Sequence, residues 1–453
     1  MRISKSIFRS PARIVVIGFS FLISIGTILL MLPVASTDEH IGFVNALFTS
    51  TSAVCVTGLI VVDTGSAFSL FGQAVILILI QSGGLGIMTM STLFLMLAGR
   101  RPGLTDQVVV QDTFTHSRER RISDVLKDVI LFTCAIEGLG MVILFFCFLP
   151  GNGVPRSLYL SVFHSISAFC NAGFSVFPDS FISYRGNWVL NLAVCFLIVA
   201  GGIGYPVLFE LKRKFSFQHG ALSRLSLHSK LVLSTTAALV LTGMLLILGM
   251  EWKNTLEPLS IPNRFMGALF QSITARTAGF NTVSIGNMTS ETLFLMMLLM
   301  FIGASPGSCG GGVKTTSFAT VVMLGVSRFR GHARPQLFKR SISEAGIGKS
   351  VSVIMLSAMV ICVGVMLILM TELGDVSQPE SRGKFLELLF EAVSAFGTVG
   401  LSTGITPELT VMGKVILSGI MFVGRLGPLV VGVALSRDTV SRYYYAEENI
   451  MVG

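Results

Sequence analysis

Eight long apolar runs alternate with more polar stretches along this chain. Each run is long enough to cross a hydrocarbon core of about 30 Å as a helix. The runs occupy residues 14–34, 72–98, 125–149, 187–209, 228–250, 291–323, 349–371 and 411–435. The pattern therefore predicts an all-α membrane protein with eight transmembrane helices.

A shorter and only weakly apolar segment follows each odd-numbered run, and the four segments are copies of one another. Each copy begins with Phe, has Ser or Thr four residues later, then Ala, and ends on Gly. The copies read FTSTSAVCVTG at 48–58, FHSISAFCNAG at 163–173, FQSITARTAG at 270–279 and FEAVSAFGTVG at 390–400. The segments are too short to cross the membrane, and the closing glycine stretch does not continue a helix. We therefore expect half-helices that enter the membrane and turn back.

The repeat divides the chain into four similar units. A period of roughly a hundred residues is too long for a solenoid and indicates four copies of a small module. Each module is predicted as a helix, a re-entrant segment and a second helix, and four of them can surround one central axis with pseudo-symmetry. The predicted boundaries are 1–124, 125–227, 228–348 and 349–453.

Composition agrees with a membrane location. Of the 453 residues, 52% are hydrophobic and only 13% are charged, which is about half the charged share of a soluble domain. The seven cysteines are odd in number and form no CxxC pair, so we expect buried thiols and no disulfide or zinc framework. The basic segment 1–13 precedes the first run without a signal-peptide cleavage site before Asp38, so the first helix is expected to be retained.

The distribution of charge predicts the orientation in the membrane. Lys and Arg are concentrated in both tails and in three linkers, at 99–127, 210–230 and 328–349, whereas the opposite loops are acidic. Because basic segments stay in the cytoplasm, we expect a multi-pass protein of the cell inner membrane with both termini cytoplasmic. The net charge of +9 then reflects topology and contact with the lipid bilayer, and nucleic-acid binding is not expected. The linker at 100–127 is polar enough to dock a partner.

The four copies have the chemistry of a cation site. A half-helix that enters from outside points its carbonyl end, with about half a negative charge, toward the membrane centre. The backbone after it can direct carbonyl groups at an ion, and glycine permits the close approach. The candidate residues are Val56, Thr57, Gly58, Asn171, Ala172, Gly173, Thr277, Ala278, Gly279, Thr398, Val399 and Gly400. Only the glycine is common to all copies, as expected if carbonyls coordinate; glycines that merely break helices are the alternative.

The sixth run is interrupted near its middle. Five glycines and Pro306 lie within residues 303–316 and do not sustain a continuous helix. The stretch GSCGGGVKT at 307–315 nearly spells a phosphate-binding loop, but it has one residue too many before the lysine and follows a membrane span. No nucleotide is therefore expected on this chain. A kink that only serves packing is the alternative.

These features resemble the Trk/Ktr/HKT superfamily of potassium transporters over nearly the whole chain. The resemblance rests on the fourfold plan, on one glycine per re-entrant segment, and on FIGASPGSCGGGVKT at 301–315. Eight spans without an extra N-terminal helix pair are most similar to the Ktr-type translocating subunit, the KtrB-like group. The resemblance implies a potassium filter at Gly58, Gly173, Gly279 and Gly400, a homodimer with one pore per protomer, and a cytosolic nucleotide-binding ring subunit, KtrA-like, as regulator. It also suggests sodium dependence, through a second cation site that spacing does not locate.

The resemblance further implies that the interruption is an intramembrane loop that closes the pore below the filter. An arginine inside a span costs about 2.5–3.5 kcal/mol on insertion scales, so Arg425 is predicted to face the cavity and repel cations, with a purely structural ion pair as the alternative. The predicted gate comprises Gly303, Ala304, Ser305, Pro306, Gly307, Ser308, Cys309, Gly310, Gly311, Gly312, Lys314, Thr315 and Arg425.

Arg276 precedes Gly279 by three residues and is predicted to pack behind the filter against Glu391. The fourth copy carries the Thr-Val-Gly of the potassium-channel filter, but Leu401 and Ser402 follow where that filter continues Tyr-Gly, so weaker selectivity is expected. The predicted function is potassium uptake driven by the membrane potential. A sodium-permeable or weakly selective cation transporter is one alternative. A membrane-embedded enzyme is another, although few ionisable groups lie at membrane depth.

Overall fold

Helices make up almost all regular structure in the part of the chain that the structure describes. The computed structural model describes residues 11–37, 40–85, 122–214, 225–331, 335–338, 340–374, 376–377 and 379–435. The helices are α1 (Pro11–Leu30), α2 (Phe43–Val54), α3 (Thr64–Ala67), α4 (Leu70–Gly84), α5 (Ile122–Phe169), α6 (Trp188–Ile203), α7 (Tyr205–Lys214), α8 (Leu227–Met250), α9 (Ile261–Thr274), α10 (Ser290–Phe301), α11 (Thr315–Phe329), α12 (Glu344–Glu372), α13 (Lys384–Gly397), α14 (Val411–Leu426) and α15 (Pro428–Leu435).

Short elements complete this part of the chain. Strands β1 (Gln336–Leu337) and β2 (Arg340–Ser341) form an antiparallel pair before α12. Three-residue 3-10 helices lie at Pro33–Ala35, Ile182–Tyr184 and Thr406–Glu408.

Four helices, α1, α5, α8 and α12, are long and apolar enough to cross a membrane alone, and they match the first, third, fifth and seventh predicted runs. Two bent pairs, α6 with α7 and α14 with α15, raise the number of candidate spans to six. Helices α4 and α10 are apolar but shorter. Residues 86–121, which include the end of the second run and most of the 99–127 linker, lie outside the described residues, as do both tails and residues 215–224.

Two runs that were expected as continuous helices are broken. Helix α7 leaves α6 at 99°, and α15 leaves α14 at 97°. The breaks fall at Gly204 (φ 95°) and Gly427 (φ 87°), a left-handed conformation that favours glycine. Pro206 and Pro428 follow within two residues, in the first turn of the next helix, where proline is tolerated. The prediction of continuous helices over 187–209 and 411–435 is therefore wrong.

The four repeated segments are short helices with buried ends. Helix α2 ends within copy one, α9 within copy three and α13 within copy four. Copy two ends α5, in which Pro150, Gly151 and Gly153 have non-helical angles that separate a long first arm from the arm carrying the copy. All residues from 48 to 59 are buried, so protein covers this non-spanning backbone, as membrane depth requires.

Three of the four half-helices pack on the preceding helical segment through a repeated contact, and copy four has Ala392 at the corresponding position. The hydroxyl of Ser50 donates to the carbonyl oxygen of Ile23 at 2.8 Å, and Gly26 leaves the space that this hydroxyl occupies. Ser165 donates to Glu137 O at 2.6 Å, and Ser272 to Val240 O at 2.8 Å, in the same way. The sequence repeat is thus also a repeat of contacts.

Candidate functional site

The residue two positions before each repeated glycine has a left-handed backbone. Its φ angle is 56° at Val56, 60° at Asn171, 69° at Thr277 and 50° at Thr398. Positive φ is uncommon outside glycine and is strained for β-branched residues such as Val and Thr. The same unusual turn therefore ends all four half-helices, and surrounding contacts must hold it in place.

The four glycines lie in order around a closed ring. A methyl group on Gly58 would fall within 3.0 Å of the carbonyl oxygen of Ala172, which belongs to copy two. The relation continues from copy to copy and returns to its start: Gly173 faces Ala278 O, Gly279 faces Val399 O, and Gly400 faces Thr57 O. We call these four glycines, together with the two residues before each of them, the glycine ring. A side chain on any of these glycines would collide with the backbone of the next copy in the ring.

Backbone N–H groups of the ring turn back toward the half-helices. Thr57 N donates to the carbonyl oxygen of Ser52 at 2.7 Å, and Gly58 N donates to the Ser52 hydroxyl at 3.0 Å. Copy four repeats both bonds through Ser394, at 2.9 and 3.1 Å. In copies two and three, Ala172 N donates to Ser167 O at 2.8 Å and Ala278 N to Thr274 O at 3.0 Å. The N–H before the glycine is thus bonded inside every copy.

The acceptors of the ring remain without donors. Within the described ranges, no hydrogen bond reaches the carbonyl oxygens of Thr57, Ala172, Ala278 and Val399. A buried carbonyl ordinarily finds a partner, so four free ones that share one narrow space form a candidate cation site. No group of three or more His, Cys, Asp or Glu that could hold a metal ion occurs in the described part of the chain.

Residues 302–314 form an irregular connection from α10 to α11, which we call the 302–314 loop. It contacts the ring residues directly: Gly311 N donates to the hydroxyl of Thr398 at 3.0 Å, and a methyl group on Gly310 would meet the Thr277 hydroxyl. The loop thus touches two of the four left-handed residues.

Three cationic side chains donate to carbonyl oxygens of this loop. Arg425 donates to Cys309 O, and also to Gly83 O at the end of α4. Lys314 Nζ donates to Gly310 O at 2.7 Å, and Arg276 Nη2 lies 3.5 Å from Gly303 O. The Lys314 side chain therefore bonds to a backbone carbonyl of the same loop.

The predicted pairing of Arg276 with Glu391 is wrong. Glu391 accepts hydrogen bonds from Ser402, Thr403 and Thr406, while Arg276 donates to the Gly303 carbonyl oxygen. The Nε of Arg276 is buried without a partner in the described structure. Arg276 therefore extends toward the 302–314 loop and not toward Glu391.

The loop is joined to both helix bends. Ser305 N donates to Gly202 O at 3.0 Å, Cys309 N to Gly201 O at 3.1 Å, and Tyr205 N to Gly307 O at 3.0 Å. Gly312 N donates to Gly424 O at 3.3 Å, near the second bend. The bends that hydropathy missed are therefore the places where the loop is held.

The remaining predicted gate residues support the loop from within. Ala304 N donates to Gly311 O at 3.3 Å. The hydroxyls of Ser305 and Thr315 are 2.9 Å apart, and Ser308 donates to Ser305 O at 2.6 Å. The carbonyl of Pro306 fills the space where Gly204 lacks a side chain. Every residue predicted for the gate thus lies in or against one connected unit.

Sequence reasoning gave no role to a polar cluster near the loop. Gln81 donates to the carboxylate of Glu137 at 3.3 Å, and the thiol of Cys170 donates to the Gln81 carbonyl oxygen at 3.3 Å. Glu137 is buried, and its signal in the sequence is a lone acid within an apolar run. Its partners come from α4 and from copy two, which sequence spacing does not bring together.

Apolar helices of spanning length and buried half-helices that end on a ring of free carbonyls define a helical membrane transporter. The chain belongs to the TrkH family of cation transport proteins, whose family model matches residues 5–442. It is 39% identical to the Ktr system potassium uptake protein B of Bacillus subtilis over 454 residues, covering 100% of this chain and 99% of that protein. The resemblance to the Trk and Ktr transporters is confirmed. This family consists of transporters and is not a class of enzymes.

Two further comparisons agree. The potassium/sodium uptake protein NtpJ of Enterococcus hirae is 34% identical, over 98% of this chain and 97% of its own length. The crystal structure of the potassium transporter TrkH from Vibrio parahaemolyticus superposes with a TM-score of 0.75, covering 95% of this chain and 86% of that chain at 18% identity. The structural likeness shows a shared fold.

Proposed function

We propose that the chain takes up potassium ions across the cell membrane through the glycine ring, which acts as the selectivity filter of one four-module pore. The observation that carries the proposal is the closed order of four glycines, each facing a donor-free carbonyl of the next copy. Such carbonyls can replace the hydration shell of an alkali cation. The related Ktr proteins are named for potassium uptake, which favours potassium as the transported ion.

The half-helices support the same site electrostatically. They end at Val54, Phe169, Thr274 and Gly397, just before the ring, and each helix end carries about half a negative charge. Four such ends favour a cation between them. The membrane potential supplies about 2.3 kcal/mol per charge per 100 mV, which can drive accumulation without a coupled reaction.

The 302–314 loop, with Arg425 and Lys314, is proposed as the gate. It lies against two ring residues, Thr277 and Thr398, and its carbonyls hold positive charges that oppose the passage of a cation. A hydrogen bond to a charged group contributes about 1.5–3 kcal/mol, so the closed position is stable until binding energy from elsewhere displaces it. We propose that a cytosolic nucleotide-binding ring subunit supplies that energy to a homodimer of this chain.

The proposed setting is the cell inner membrane with both termini in the cytoplasm. Sodium dependence is included in the proposal because one relative is named a potassium/sodium uptake protein. A weakly selective cation transporter is the second candidate. It is favoured by Leu401 and Ser402, which stand where the potassium-channel filter continues with Tyr-Gly.

Rubidium and sodium fluxes into proteoliposomes test the proposal. The purified chain, with and without a cytosolic nucleotide-binding subunit, should admit rubidium in preference to sodium when the inside is negative. The regulatory subunit should increase the flux. Equal rubidium and sodium fluxes would favour the second candidate. A flux that does not change with the membrane potential would refute the proposed mechanism.

A further inference from the structure

A fully buried carboxylate organises the chain that follows the ring in copy four. Glu391 lies on α13 with 0% of its surface exposed. Its Oε1 accepts from the Ser402 hydroxyl at 2.6 Å and from Thr403 N at 3.1 Å, and its Oε2 accepts from the Thr406 hydroxyl at 2.7 Å. All three donors come within six residues after Gly400.

The donors around Glu391 are also bonded to one another. The hydroxyls of Ser402 and Thr406 are 2.9 Å apart, and Gly404 N donates to the Ser402 hydroxyl at 2.9 Å. Gly404 has a φ of 106°, so the backbone makes a tight return here. The whole stretch from Ser402 to Thr406 is therefore folded around one side chain of the half-helix.

The other copies have a weaker form of the same brace. The residue after the first Phe of each copy is buried and polar, and it is His164 in copy two and Gln271 in copy three. His164 Nε2 lies 3.1 Å from the Ser175 hydroxyl, and Gln271 donates to Thr282 at 3.3 Å. In copy one, the Thr49 hydroxyl has no partner in the described structure. Copy four, which contains Thr-Val-Gly, thus has three bonds from this residue to the chain after its glycine, where the other copies have at most one.

We propose that Glu391 is a positioning residue that sets the ion selectivity of the pore, an inference that rests on the proposed function. A carbonyl site prefers potassium to sodium only while its oxygens keep the number and arrangement that suit the larger ion. The Val399 carbonyl and Gly400 are held on one side by the turn of copy four and on the other by the chain tied to Glu391. Without the brace, that chain relaxes and the carbonyl can approach a smaller ion.

Glu391 affects the ring only indirectly. Glu391 is bonded to residues 402–406 and to no ring residue, so it acts through the chain and not as an ion ligand. Ser402 and Thr406 should therefore affect selectivity too, each through the one hydrogen bond that it donates to the carboxylate. A role through charge alone would leave substitutions of these two hydroxyl residues without effect.

The test compares rubidium and sodium fluxes of the full chain in proteoliposomes for E391Q, S402A and T406V. E391Q keeps one oxygen for Ser402 and Thr403 N, but its NH₂ no longer accepts from the Thr406 hydroxyl, which must turn from donor to acceptor. All bonds to a charged carboxylate become neutral ones, so the rubidium to sodium flux ratio should fall about tenfold. S402A and T406V should each produce a smaller fall in the same ratio. E372Q is the matched control, because Glu372 accepts from Thr410 N and its hydroxyl at the start of α14 and contacts none of residues 400–406.

The outcomes separate this inference from the proposed function. If the unaltered chain prefers rubidium and E391Q keeps the same ratio, the inference is wrong while the proposed function stands. A fall in total flux at constant ratio, or an equal change of ratio in E372Q, also overturns it, since either result indicates a merely structural role. An unaltered chain without ion preference overturns both. If E391Q does not assemble, S402A and T406V decide, because both keep the carboxylate.

Discussion

The hydroxyl of Thr398 accepts a hydrogen bond from the backbone N–H of Gly311 at 3.0 Å. Thr398 is one of the four left-handed residues of the ring copies, and Gly311 lies in the 302–314 loop. The bond therefore joins the proposed filter directly to the proposed gate. A loop that moves aside must break it, and three functional expectations follow from this bond and the neighbouring contacts.

Thr398→Val should increase ion flux in the absence of a regulatory subunit. Valine has nearly the same shape, and Val56 adopts a φ of 56° at the equivalent position, so the turn is retained while Gly311 N loses its acceptor. A lost neutral hydrogen bond of about 0.5–1.5 kcal/mol predicts a rise of a few-fold to about tenfold. Rubidium uptake into proteoliposomes without the regulatory subunit measures this rise in flux.

Thr236→Val is the control for this substitution. The Thr236 hydroxyl is buried on α8 and has no partner in the described structure, so its removal breaks no bond. The control should leave flux unchanged. An unchanged or lower flux in correctly assembled Thr398→Val would mean that the bond does not hold the loop.

Arg425→Ala should raise the maximal uptake rate. It removes a buried positive charge and the bonds to Cys309 O and Gly83 O, which join the loop to α4. With about 1.5–3 kcal/mol per charged bond, an increase of at least about tenfold is expected. Arg264→Ala is the control, since Arg264 also donates to carbonyl oxygens, those of Trp252, Glu257 and Leu259, but far from the loop. Equal rates for Arg425→Ala and the unaltered chain would contradict the gate assignment.

Gly279→Ser should reduce the preference for rubidium over sodium. Gly279 has a φ of 79°, and its new Cβ would lie 2.5 Å from Val399 O and 2.9 Å from the Cα of Gly173. The ring must widen or distort, and the carbonyls lose their common arrangement. Gly249→Ser is the control, because nothing lies within 4 Å of a Cβ at that position. The selectivity ratio in proteoliposomes decides, and an unaltered ratio in Gly279→Ser would remove the filter assignment.

Glu251, just after the end of α8, should make stability depend on acid pH. Burial raises its pKa, but hydrogen bonds from Thr292, Thr289 and Thr255 outweigh burial and hold the pKa below the ordinary 4.5. A carboxyl whose pKa is lower in the folded chain stabilises the fold at any pH above its pKa in the unfolded chain. This contribution is lost as the pH falls through the lower pKa of the folded chain.

Thermal unfolding of the detergent-solubilised protein checks this sign. Glu251→Gln should lower Tm at neutral pH, and its difference from the unaltered chain should shrink once the pH falls below 4.5. The exposed Glu257, in the same loop, supplies the control Glu257→Gln with unchanged Tm. A difference that grows toward acid pH would show that the sign is wrong.

Hydropathy and the repeat located most helices, and the glycines and proline of residues 303–316 located one break, but the bends at Gly204 and Gly427 were missed. The bends at Gly204 and Gly427 have a local signal, since each glycine is followed within two residues by a proline. A window of spanning length averages over that signal, because the residues on both sides are apolar. The predicted partner of Arg276 failed for another reason: a charged residue seen only in sequence suggests an opposite charge, whereas the buried loop offers carbonyl oxygens.

Local sequence patterns were enough to predict the membrane class, the four related segments and the glycines at their ends. These are local properties, because hydropathy decides burial in lipid and the missing Cβ decides which backbone can adopt positive φ in a crowded place. Only the tertiary structure decided the order of the glycines around the ring, the bonds that join the 302–314 loop to Thr398 and Arg425, and the partners of Glu391. Those relations depend on which distant backbone groups come within hydrogen-bond distance, and no local pattern encodes that distance.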